Sequence, residues 1–78
     1  MNNSMSIDWD EIGTLHHLPS GRDIRTDPLW ILLTTALQGH EGWVEDMAII
    51  MKSGHRYAPE DICNLATRPD RKRGKEYQ

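Results

Sequence analysis

Apolar positions along this chain recur at three- and four-residue spacing, and the clearest run lies in residues 26–39. At 100° per residue, Leu29, Trp30, Leu32, Leu33, Ala36 and Leu37 share one broad apolar face. Thr26 or Asp27 can cap the first amides, Pro28 suits the first helical position, and Gly39 suits the left-handed turn that ends a helix. The pattern predicts a helix over 28–38. Ile31 falls on its opposite side, between Thr34 and Thr35.

The next segment repeats the pattern. Trp43, Val44, Met47, Ile50 and Met51 form an apolar face and Ser53-Gly54 supplies a stop, so a helix is predicted over 41–52, with Ile49 outside it between Glu45 and Asp46. Residues 38–40 then link the two helices as an antiparallel hairpin. A third helix is predicted over 59–67, from Pro59 through Ile62, Cys63, Leu65 and Ala66 to the Arg68-Pro69 step. A short N-terminal helix is predicted over 7–15: Ser6 caps it, Asp8, Asp10 and Glu11 complement its dipole, and Trp9 and Ile12 share a face. Gly13 weakens its second half. Residues 17–26, with the punctuation of Pro19, Ser20 and Gly21, read as connection.

No segment alternates with period two over a strand's length. The expected fold is therefore all-α, a small bundle of three principal helices plus the short N-terminal one. Residues 1–5 are expected to be disordered, 6–67 to form one helical domain, and 68–78 to be a flexible basic tail.

Composition narrows the setting. Seventy-eight residues allow a single domain with a small core. The single cysteine, Cys63, excludes an internal disulfide framework and fits a reducing compartment. No apolar run exceeds the length of Leu29 to Leu33, too short for a membrane span, and the start Met-Asn-Asn-Ser lacks the regions of a signal peptide. A cytoplasmic location without a membrane partner is expected. The net charge of -3 conceals an asymmetry: residues 1–67 carry four Lys or Arg against ten Asp or Glu, whereas residues 68–78 carry five against two.

The chemistry-bearing residues form no catalytic pattern. His16, His17, His40 and His55 with Cys63 invite a zinc site, but adjacent histidines point apart, His40-Glu41 is followed by Val44 where a metalloprotease helix needs histidine, and Cys63 has no near partner. Asp8, Asp10 and Glu11, like Glu60 and Asp61, sit where a helix start favours acids for its own stability. No enzyme activity, metal or cofactor is expected.

Two binding readings remain. Arg68, Arg71, Lys72, Arg73 and Lys75 could contact nucleic-acid phosphates. A helix-turn-helix pairing of 41–52 with 59–67 is disfavoured, because its recognition helix would lead with Glu60 and Asp61 toward an anionic groove. The leading reading is a non-enzymatic protein that binds another protein, as a regulator, inhibitor or assembly factor. Tryptophan is enriched at binding hot spots, and Trp9, Trp30 and Trp43 are many for so short a chain. Outward Ile31 and Ile49 would suit a docking surface or a homodimer contact. The acidic body, with Glu45 and Asp46 beside Ile49, favours a partner with a basic surface. The partner-contact candidates are Ile31, Ile49, Trp9, Glu45 and Asp46. Size, acidity and lack of catalytic motifs resemble the general style of accessory proteins from bacteria and their phages.

Overall fold

Residues 12–17 alternate, and the alternation decides the fold. A computed structural model describes residues 7–38 and 44–71, and in it Ile12–His17 is a strand, β1, in which Gly13 and Leu15 are buried while Ile12 is exposed. β1 turns through residues 18–21 into β2, Arg22–Pro28. Gly21 sits at φ 75° in that turn and donates its amide to the His17 carbonyl at 2.8 Å, a backbone state that glycine adopts without steric cost. The helix α1, Leu29–Gln38, follows directly. A 3₁₀ turn, Val44–Asp46, leads into β3, Met47–Met51, then β4, Arg56–Tyr57, and the helix α2, Pro59–Ala66.

The four strands form one antiparallel sheet in the order β2-β1-β3-β4. The connection from β2 through α1 to β3 therefore crosses over β1. Both helices pack on one sheet face: Leu29, Leu32, Leu33 and Ala36 of α1 and Ile62 and Leu65 of α2 bury against Leu15, Met47, Ile49 and Met51. This two-layer α+β arrangement replaces the expected all-α bundle. Burial of each element's apolar face against the other layer is what holds it.

Two predicted helices are present at nearly the expected bounds, α1 and α2. The N-terminal helix over 7–15 is not. Asp8 uses its Oδ1 to accept the Asp10 amide at 3.1 Å and its carbonyl to accept that of Glu11 at 3.1 Å, so the acids build a turn rather than a helix start. Past that turn, Gly13 is wanted in β1 for close approach, since a Cβ there would stand 2.8 Å from the Met51 Sδ across the sheet.

The predicted helix over 41–52 is also absent among the described residues. Met47, Ile50 and Met51 match helical spacing, but the β-branched pair Ile49-Ile50 suits a strand, and β3 gains backbone pairing on both sides, to β1 and β4. With the helix goes the reason for placing Ile49 outside: it is fully buried opposite Leu15.

The presumed connection over 17–26 is largely β2. This edge strand carries Arg22, Asp23, Arg25 and Asp27 and ends in Pro28, which discourages pairing with another chain. A register shift between Leu15 and His16 adds a residue to β2. Ile24 can thus join the core's margin while its neighbour Arg25 reaches Thr35 of α1 at 3.3 Å. Nor do Thr26 or Asp27 side chains cap α1. The first two amides of α1 donate to the Glu11 and Trp9 carbonyls, at 2.9 and 3.0 Å, and Asp27 pairs with Arg25 at 2.6 Å. Among the described residues no helix is long and apolar enough to cross a membrane.

Candidate functional site

The start of α2 follows β4 after one residue, and that abrupt join shapes a cleft. Ala58 is extended at φ -74°, ψ 168°, and Pro59 supplies a pre-set φ at the first helical position. Asp61 turns back to accept the Ala58 amide at 3.0 Å. Only this return half of a capping box exists, because Ala58 has no side-chain acceptor for the Asp61 amide. Asp61 is thereby committed to its own helix, while Glu60 beside it stays exposed.

Facing this helix start is the 3₁₀ turn. Val44 packs against the core, Glu45 is exposed, and the Asp46 carbonyl accepts the Leu18 amide at 2.8 Å, tying the turn to the end of β1. Between the two elements lies a cleft of about 420 Å³ lined by Val44, Glu45, Ala58, Pro59, Glu60 and Cys63. Its floor is apolar and its two charged lining residues are carboxylates from separate elements. Such a cleft suits a long cationic side chain, whose methylene stem packs on the floor while its head meets a carboxylate. The exposed Cys63 thiol has no histidine or lysine among the lining residues to act as its base. No group of three or more metal-binding side chains occurs among the described residues.

A second groove, of about 350 Å³, lies between β4 and the end of α2, with Ile7 and Leu65 as its apolar part. Tyr57 and His55 meet edge to face there, with ring centroids 4.5 Å apart. Burial, aided by the Glu11 carboxylate, pushes the Tyr57 hydroxyl pKa up. Arg68 borders the groove, but its fork is closed on Asp70 through Nε at 2.9 Å and Nη2 at 3.1 Å. The hydrogen bonds from Arg68 hold the Asp70 carboxyl below its usual range.

The residues proposed from sequence are scattered. Glu45 lines the cleft, and Asp46 anchors its far wall through backbone. Ile31 is half-buried beside Arg25 and Thr35 on the outer side of α1. Trp9 and Ile49 are core residues. Of the basic candidates, Arg68 is paired with Asp70 and Arg71 donates from Nη1 to the Ala66 carbonyl at 3.5 Å; Lys72, Arg73 and Lys75 lie outside the described residues, as do His40, Trp43 and residues 1–5. Sequence reasoning missed Val44, Ala58, Pro59 and Cys63 as cleft residues and took Glu60 as a dipole partner alone. The proximity of residues 44–45 to 58–63 comes from strand pairing, which no local pattern announced. Compared with protein-family models, with curated proteins and with solved structures, the chain finds no match.

Proposed function

We propose that this protein is a non-enzymatic binding module whose acidic cleft receives a lysine or arginine side chain from a partner protein. The observation that carries the reading is the placement of Glu45 and Glu60 on two different elements across an apolar floor. A partner side chain there makes charge-assisted contacts and buries its stem at once. The acidic balance of residues 1–67 adds long-range steering toward a basic surface.

The test is affinity capture from a lysate of the protein's native cells, run with and without nuclease, comparing the wild type with Glu45→Gln/Glu60→Gln and Glu45→Lys/Glu60→Lys. A stoichiometric protein partner that weakens with the glutamines, disappears with the lysines and elutes with salt supports the reading. A partner held equally by all three proteins overturns it. So does recovery of nucleic acid alone, lost on Arg71→Ala/Lys72→Ala/Arg73→Ala, which would make the basic end the working site.

A further inference from the structure

We propose that the helix-free face of the sheet is a contact between two copies of this chain, packed face to face about a twofold axis running along the strands. This rests on a surface separate from the acidic cleft.

Both helices cover one face, and the other carries the outward residues of each strand. On β1 and its continuation these are Ile12, Thr14, His16 and Leu18; on β3 they are Ile50, which is exposed, and Ala48, which its neighbours already enclose at 0% exposure. The exposed large hydrophobics Ile12, Leu18 and Ile50, at 41%, 36% and 37% exposure, all belong to this face, leaving only Leu37 elsewhere among the described residues. A solvated antiparallel face ordinarily sets polar residues outward, and this one departs from that along both central strands.

Charge selects the occupant. Asp23, bonded to His16 at 2.9 Å, lies on the β2 edge, and Arg56 lies on the opposite β4 edge, at the rim of the groove between β4 and α2, with no ion pair among the described residues. The face carries a carboxylate at one side, a guanidinium at the other and the exposed Ile12, Leu18 and Ile50 between them, so it complements itself. A twofold axis along the strands lays β2 of one copy over β4 of the other, bringing each Arg56 toward the partner's acidic edge. An axis across the strands would instead stack β4 on β4 and oppose the two arginines. Asp23 and Arg56 lie two rungs apart, roughly 7 Å, a gap the arginine side chain spans. Aligned packing of two twisted sheets at about -30° accommodates the arrangement.

The strands β1 to β4, six, seven, five and two residues long, give a flat area of roughly 320 Å² before side-chain relief. Stable interfaces bury about 800 Å² per partner, so this dimer is weak and forms at high concentration.

Sedimentation equilibrium from about 10 μM to about 1 mM tests it, a range chosen for an interface at the small end. The weight-average mass of the wild type is expected to climb from 9.0 kDa toward twice that value. Ile50→Lys, at an exposed site, should hold the folded protein monomeric throughout. Arg56→Asp should weaken association about 10-fold or more, and Asp23→Arg/Arg56→Asp should restore it to within about 3-fold, as expected for a direct charge pair. Circular dichroism confirms that each variant is folded. A monomer at the highest concentration, a dimer indifferent to Ile50→Lys, or a folded charge-swapped double variant that stays monomeric would each overturn the proposal. Concentration-independent amide protection of this face in a monomer would assign it to another segment of the chain and overturn it equally.

Discussion

Ile49 and Ile50 are neighbours with opposite fates, and truncating each in turn tests the strand directly. Ile49 is 0% exposed between the sheet and the helices, whereas Ile50 is 37% exposed on the far face. Ile→Ala removes three carbons, worth about 2.4 kcal/mol in transfer at ~0.8 kcal/mol each. At Ile49 the lost carbons leave a cavity as well, which brings the expected cost to about 3–4 kcal/mol. At Ile50 water fills the space and only the buried fraction counts, so the cost should be about 1–1.5 kcal/mol. A helix over this segment would reverse the order, because helical spacing puts Ile50 on the apolar face and Ile49 outside. Urea denaturation followed by circular dichroism measures both, at a few micromolar so that self-association adds nothing. A domain this size holds roughly 4–12 kcal/mol, so Ile49→Val, at about 0.5–1.5 kcal/mol, serves as the milder probe if the alanine variant unfolds. Equal costs, or a larger cost at Ile50, would refute the strand reading of residues 47–51.

Further outcomes follow from single contacts. Ala58→Ser should supply the missing half of the box with Asp61 and stabilise the protein by about 0.5–1 kcal/mol, visible as a raised Tm. Gly13→Ala should cost about 1–2 kcal/mol through contact with Met51 and the Ile50 carbonyl, and adding Met51→Ala should recover part of that cost in a double-mutant cycle in urea. A cycle that sums to zero coupling would show that Met51 does not fill the space beside Gly13. The Tyr57 hydroxyl has its folded pKa raised above 10.0, so its contribution is fully present below pH 10 and fades as pH rises through the folded value. Tyr57→Phe should flatten that alkaline loss of stability in urea melts between about pH 9 and pH 11; an unchanged slope would remove Tyr57 as its source.

What was legible in the chain was punctuation. Pro59 and the Pro28-Leu29 step mark helix starts, and α1 and α2 lie almost where those signals put them. The strands were hidden for three separate reasons. β2 buries little and is laced with charge, which in one dimension is indistinguishable from a loop. β1 alternates, but its inward positions are glycine, leucine and histidine, so hydrophobicity alone shows one core residue. β3 is a continuous apolar run of five, a pattern that fits a buried strand or a helix, and its Met and Ile spacing favours the helix. The adjacent isoleucines and the Gly54 turn were the available counter-signals. The site follows the fold: helical spacing sets Glu45 beside Ile49, whereas in the strand arrangement it stands over a cleft shared with Glu60.

The strand order has a consequence for how the chain reaches this state. β1 and β2 meet through a turn of a few residues, so their hairpin can close on the microsecond scale of local structure. β1 is interior, however, and its second neighbour is β3, whose Met51 pairs with Gly13 across most of the intervening chain. That closure must precede the burial of Leu15 between the layers, and non-local pairing of this kind slows folding. A nascent chain ending before residue 47 holds β1 with one edge unsatisfied and the apolar stripe of α1 without its sheet. Such an intermediate is prone to associate with other chains until β3 arrives.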